Sequence, residues 1–309
     1  MFIFESQLFP YIALVFLLVL LVFAFLLIKK YFLVKKVYFD LNEPYIPEQK
    51  KINIPDFEIN YVDEGSGPTL LLLHGIGASL YIWRFLYKPL SQNYRVIALD
   101  LPGFGKSSKI VNQDYGLEAQ CERVLLFLKK LNVSNTYIVG SSMGGAISLW
   151  LSLKHPNVFK KNMVISPATN KKLLKLNPQL IPFTSLASHL VNTKIIGLLQ
   201  SKVVYNQSLV NKESTEKYLE PYDKQPNAIK TFMKATSILR DRRMPKCFKE
   251  ITIPVRILYG KHDHLVPKKY MTELQKIIKG SELITDKKSG HHLMEDQPNV
   301  VYEQCVDFF

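Results

Sequence analysis

Hydrophobic and polar positions divide this chain into stretches of three kinds. From Leu8 to Ile28 no residue is charged, and most are Leu, Val, Phe or Ile. From Ile59 onward short unbroken apolar runs recur, at Ile59–Val62, Thr69–Leu73, Arg95–Leu99, Thr136–Val139 and Asn162–Ile165. After a long gap they return as Pro254–Tyr259 and Ser281–Ile284. Short apolar runs without alternation mark strands buried on both faces. Helical spacing lies between several of them, as over Glu118–Leu131 and Ala146–Leu151. Strands alternating with helices predict an α/β fold: a mostly parallel sheet with helices on both faces. The stretch from Ala168 to Phe248 breaks the rhythm. Leu186, Leu190, Ile195, Leu198 and Leu199 recur at helical spacing among lysines, prolines punctuate the stretch, and no strand is evident. This predicts a helical cap, residues 168–248, inserted into a core made of residues 52–167 and 249–309.

The first apolar stretch is of a different kind. Twenty-one residues at about 1.5 Å per residue reach roughly 30 Å, the hydrocarbon thickness of a bilayer. No Lys or Arg precedes it and no small-residue cleavage site follows, so a transmembrane anchor over residues 8–28 is expected, not a signal peptide. Lys29, Lys30, Lys35 and Lys36 follow the span, whereas Glu5 is the sole charge before it. Under the positive-inside rule the large domain is then expected on the cytoplasmic side. Residues 29–51, with Pro44 and Pro47, are expected to form a connector. The net charge of +14 fits an anionic membrane surface. Zinc-ligand spacing and RNA- or DNA-reading signatures are missing, which argues against nucleic acid as a partner. Cys121, Cys247 and Cys305 are widely spaced and odd in number, the pattern of free thiols.

The chemistry concentrates at Gly140-Ser141-Ser142-Met143-Gly144. A G-x-S-x-G sequence between a buried strand and a helix puts the serine at a strained turn with its hydroxyl presented. The glycines allow the tight turn, and the helix N-terminus behind it favours developing negative charge. The N–H of Met143, following the nucleophile, is a candidate oxyanion donor. Gly105-Lys106-Ser107 is not the end of a phosphate-binding loop, because Asp100 stands where that motif requires glycine. A serine needs an adjacent base. Among the seven histidines, His155 and His189 sit in helical contexts that suit packing or surface roles.

His74-Gly75-Ile76-Gly77, Asp100–Ser107, Gly140–Gly145, Gly260-Lys261-His262-Asp263 and Gly290-His291 occur in the order found in the α/β-hydrolase superfamily, which the chain resembles from about Ile59 to its end. With the apolar N-terminus it resembles the membrane-bound monoacylglycerol lipase branch. The resemblance implies Ser142 as nucleophile, His291 as base and Asp263 as the acid that orients it, in the order Ser, Asp, His. His292 is the rival to His291, which is favoured because Gly290 directly precedes it. Asp296-Gln297-Pro298 matches the acidic-x-Pro that follows the base. The N–H of Ile76 becomes the second oxyanion donor, while His74 and Asp100 are expected to brace loops. His262 and His264 flank Asp263 without a third ligand pattern, so neither metal nor cofactor is expected. The expected activity is hydrolysis of carboxylic esters of lipid-like alcohols, monoacylglycerols or lysolipids, through an acyl-enzyme. A small-ester esterase or carbon–carbon bond hydrolase shares these motifs; a non-catalytic binding protein on the same fold is the remaining alternative.

Overall fold

The computed structural model describes residues 20–22, 24–26, 43–170, 173, 191–223 and 225–309. The chain divides into two units, Met1–Glu43 and Pro44–Phe309. Most of the expected anchor lies outside the described residues. The described part of it, residues 20–22 and 24–26, is helical, with Leu20, Leu21, Val22, Phe25 and Leu26 exposed. Among the described residues no helix is long and apolar enough to cross a membrane.

The second unit is built on one eight-stranded sheet. In chain order its elements are β1 (Lys50–Ile54), β2 (Phe57–Glu64), β3 (Thr69–Leu73), a 3-10 turn (Leu80–Trp83), α1 (Tyr87–Leu90), β4 (Arg95–Leu99), α2 (Leu117–Lys130), β5 (Thr136–Ser141), α3 (Met143–Lys154) and β6 (Phe159–Ile165). There follow α4 (Thr193–Val203), α5 (Lys212–Leu219), α6 (Pro226–Ala235), β7 (Val255–Gly260), α7 (Lys268–Ile277), β8 (Glu282–Asp286), α8 (Leu293–Asp296) and α9 (Pro298–Phe308). The strand order is β1-β2-β4-β3-β5-β6-β7-β8. β1 and β2 pair antiparallel, as do β2 and β4, and the remaining pairs are parallel.

Burial follows the apolar runs. Leu70 to Leu73 in β3 and Val96 to Ala98 in β4 are wholly inaccessible, as are Ile138 and Val139 in β5. Each such side chain contributes about 1.5–3 kcal/mol through removal from water. α3 is buried over ten of its twelve residues, Met143 to Ser152, because it fills the space between sheet and neighbouring helices. The edges are polar: β1 exposes Lys50 and Lys51, and β8 carries Glu282, Thr285 and Asp286. Charged edge strands discourage pairing with another chain.

β1 corrects the expected connector. Lys50 and Lys51, assigned to that connector, begin a strand that pairs with β2 from Lys50↔Tyr61 to Ile54↔Phe57. An edge strand buries only part of one face, so its sequence, Lys-Lys-Ile-Asn-Ile, lacks the unbroken apolar run of its neighbours. Between β6 and β7 the described residues form helices and 3-10 turns and no strand.

Candidate active site

The strand-turn-helix of β5 and α3 forces Ser142 into φ 52°, ψ −114°. This left-handed conformation costs a non-glycine residue on the order of 1–3 kcal/mol, so neighbouring contacts must hold it. The Ser142 N–H donates to Ile165 O at 2.9 Å, and its carbonyl accepts from Ala146 N at 3.1 Å and Ala168 N at 3.0 Å. Two glycines make the turn possible. A Cβ on Gly140 would lie 2.4 Å from Gly144 O, and one on Gly144 would lie 2.3 Å from Leu73 O. The loop after β3 runs directly against the serine: a Cβ on Gly75 would lie 3.0 Å from Ser142 Cβ and 3.7 Å from its Oγ.

That loop is braced from two sides. His74 Nε2 accepts from Leu101 N at 2.9 Å, so Nδ1 carries the hydrogen and donates to Gly75 O at 2.7 Å. Burial holds the imidazole below its usual pKa although Asp100 is near. Asp100 accepts from Leu80 N at 2.7 Å, Asn60 Nδ2 at 2.7 Å and Lys106 N at 2.8 Å. Ile76 and Met143, expected as oxyanion donors, follow Gly75 and Ser142 on the two turns that meet here.

Asp263 and His291 come together although 28 residues separate them. Their loops leave the C-terminal ends of β7 and β8, beside the end of β5 that carries Ser142. Asp263 Oδ2 lies 2.8 Å from His291 Nδ1, while Oδ1 accepts from Leu265 N at 2.8 Å and Val266 N at 2.9 Å. Burial pushes the Asp263 pKa up, but the His291 charge and hydrogen bond, with the Val266 amide, outweigh it and hold the carboxyl below its usual range. An ionised carboxylate only accepts, so Nδ1 of His291 donates. No hydrogen bond joins Ser142 to His291; in ligand-free hydrolases that contact is often long and tightens on binding.

Asp296 holds the base loop to the segment after α4. It accepts from Gly290 N and Asn206 N at 2.8 Å and from Tyr205 N at 2.9 Å. His262 lies 3.1 Å from Lys287 O through Nε2 and stacks on Tyr205. Among the described residues no group of three His, Cys, Asp or Glu side chains is placed to hold a metal ion.

Four residues form a buried cluster that has no counterpart in the motifs. Glu295 pairs with Arg84, accepts from Tyr218 Oη at 2.6 Å, and lies 2.6 Å from His292 Nδ1. Burial would raise the Glu295 pKa, yet Arg84 and then His292 and Tyr218 hold it down at about 2. The sequence signal is faint: Glu295 stands three residues after His292, but Arg84 and Tyr218 are remote.

A cavity of about 420 Å³ is lined by Ile76 and Gly77 of the braced loop and by residues of α4, α5 and α6, with His292 in its wall. Ile195, Leu199 and Lys202 are among its lining residues. Leu186 and Leu190, placed in the same helical pattern by the sequence, lie outside the described residues.

A family model described as alpha/beta hydrolase fold matches residues 68–298. The uncharacterized hydrolase YugF of Bacillus subtilis is 29% identical over 249 residues, covering 78% of this chain and 89% of that protein. A membrane phospholipase A, a bacterial virulence factor, superposes with a TM-score of 0.71 at 24% identity, covering 97% of each chain. A meta-cleavage product hydrolase superposes with a TM-score of 0.71 at 24% identity, covering 84% of this chain and 97% of that one.

Proposed function

This chain belongs to the alpha/beta hydrolase fold family, and from that premise we propose that it is a membrane-anchored serine hydrolase cleaving esters of long acyl chains. The observation that carries the reading is the cavity, about 420 Å³ and walled mainly by Ile, Leu, Val, Phe and Met, a size within the range of roughly 300–1,000 Å³ usual for small-molecule sites. An apolar recess lined by Ile76 and His292, the sequence neighbours of Gly75 and His291, suits a hydrocarbon chain, each buried methylene contributing about 0.8 kcal/mol. In this reading α4, α5 and α6 belong to the cap that encloses the chain.

Ser142 Oγ attacks the ester carbonyl while His291 Nε2 takes its proton. The N–H groups of Met143 and Ile76 receive the oxyanion, each worth about 3 kcal/mol of barrier. Collapse expels the alcohol, which takes the proton from His291, and leaves the acyl group on Ser142. Water, deprotonated by His291, then releases the acid. Asp263 fixes the Nδ1–H tautomer and stabilises the imidazolium.

The anchor reading rests on the uncharged run Leu8–Ile28 and on the exposed helical residues within it. It keeps the cavity near a source of lipid. Lys194 and Lys202 on α4 add attraction to anionic lipid, about 1 kcal/mol for each lysine close to the surface.

The test is catalytic efficiency of the full-length protein in detergent on long-chain monoacylglycerols, lysolipids and p-nitrophenyl acetate. The expected order places a long-chain ester first, with Ser142→Ala losing turnover and labelling by a serine-reactive phosphonate. Equal or better efficiency on the acetate, or labelling that persists in Ser142→Ala, overturns the reading.

A further inference from the structure

His292 sits one ring away from the proposed base, its ring centre 5.7 Å from that of His291. It is buried, and it lines the apolar cavity. Its Nδ1 is committed to Glu295 at 2.6 Å. Glu295 is ionised and already paired with Arg84, so its oxygens only accept and His292 Nδ1 donates to it. Nε2 has no partner among the described residues.

Of the other polar groups of the wall, Lys202 is exposed on α4 and the rest are engaged. Tyr222 Oη donates to Gly77 O at 2.9 Å, and Tyr218 Oη donates to Glu295 at 2.6 Å. The Gln200 amide donates to Leu209 O at 3.2 Å and accepts from Ser214 Oγ at 3.3 Å. In a wall made mainly of side-chain carbon, Nε2 offers a bound ligand one fixed polar contact.

We propose that His292 is a specificity-determining residue that accepts a hydrogen bond from a free hydroxyl on the alcohol part of the substrate. The inference rests on the serine-hydrolase reading and narrows its substrate class. Its closeness to His291 places the acceptor within reach of the alcohol side of the scissile bond. A hydroxyl one or two carbons from the ester oxygen, as in a glycerol ester, is the donor that fits.

The experiment compares two esters of equal size, 2-hydroxyethyl decanoate and propyl decanoate, on the full-length protein in detergent. Wild type is expected to favour the hydroxyethyl ester by about tenfold in kcat/KM, the effect of one buried hydrogen bond. His292→Phe is expected to bring the ratio to within about twofold. Both esters are read on the same preparation, so loss of folded protein cancels in the ratio. His292→Ala carries the same expectation where the phenylalanine variant does not fold. A wild-type preference below about twofold, or a preference that survives in the variant, overturns the proposal. Phosphonate labelling of Ser142 is measured alongside. An unchanged ratio with labelling intact removes the role of His292 alone, whereas absent labelling removes the serine-hydrolase reading and this inference with it.

Discussion

Replacing Arg84 by Met tests whether the buried cluster behind the site is held by charge. Arg84 is 3% exposed and its partner Glu295 is fully buried. The guanidinium also lies 4.2 Å from the Tyr81 ring centre and 4.4 Å from that of Phe85, contacts that a methionine largely keeps through its own stem. What the substitution removes is the positive charge. Deleting one partner of a buried pair costs about 3–5 kcal/mol, because the other charge stays desolvated. Tyr218 and His292 still hydrogen-bond Glu295, which places the expected loss at about 3 kcal/mol at pH 7. For a domain of this size that is a fall of roughly 6–12 °C in Tm. The pH dependence separates charge from packing. In wild type the Glu295 pKa is depressed from its ordinary 4.5 to about 2. Its stabilisation, roughly 3 kcal/mol, is therefore present above pH 4.5 and lost as pH falls towards 2. Without Arg84, burial dominates and the pKa rises. A group with a raised folded pKa is better tolerated protonated, so the deficit of the variant should shrink as pH falls from 7 towards 4.5. Urea denaturation of both proteins at pH 7, 6 and 5, followed by tryptophan fluorescence, reads this directly. A deficit below about 1 kcal/mol at pH 7, or one that stays constant with pH, would falsify the electrostatic account.

Filling the cavity should shorten the preferred chain. Met233 lines it and is buried, so Met233→Trp is expected to lower the ratio of kcat/KM for a long-chain ester to that for acetate by about tenfold, roughly two methylenes of burial. An unchanged ratio would place the acyl chain elsewhere. The lysines after the expected span should keep the hydrolase domain on the cytoplasmic side; protease added to intact cells should leave it whole, and digestion from outside would reverse the orientation.

Seven strands were legible because each contains a short apolar run, unbroken and wholly buried in the central β3 and β4 and shortest in β8 at the edge. β1 was hidden because an edge strand needs only Ile52 and Ile54 to face inward. Ser142, Asp263 and His291 could be named as candidates for another reason. Each follows a turn glycine against which neighbouring backbone packs closely, at Gly140, Gly260 and Gly290, so candidate chemistry and geometry share one short stretch of sequence. The Glu295 cluster has no such local cause. Its members stand at 84, 218, 292 and 295, and only folding brings them together. His292 entered the sequence reading merely as a competitor to its neighbour. Its own role depends on a carboxylate that no motif predicts.

Glu295 and Asp296 explain how that neighbourhood works as a unit. The two carboxylates are adjacent and both buried, yet their pKa values move in opposite directions. Glu295 has a cation against it. Asp296 has backbone amides only, from Tyr205, Asn206 and Gly290, and the charge of Glu295 beside it, so burial wins and its pKa rises. Amide dipoles offset less desolvation than a full charge does. Glu295 faces Arg84, near the loop that carries Ile76, and Tyr218 of α5; Asp296 faces the end of α4 and the glycine before His291. Two consecutive residues of one short helix thus tie the base loop, the braced loop and the helices over the cavity together. A change in either carboxylate is felt on both sides of the site at once. In the proposed reading, acyl cavity and nucleophile are for that reason parts of one structural unit, and loosening the wall should disturb the chemistry as well as the binding.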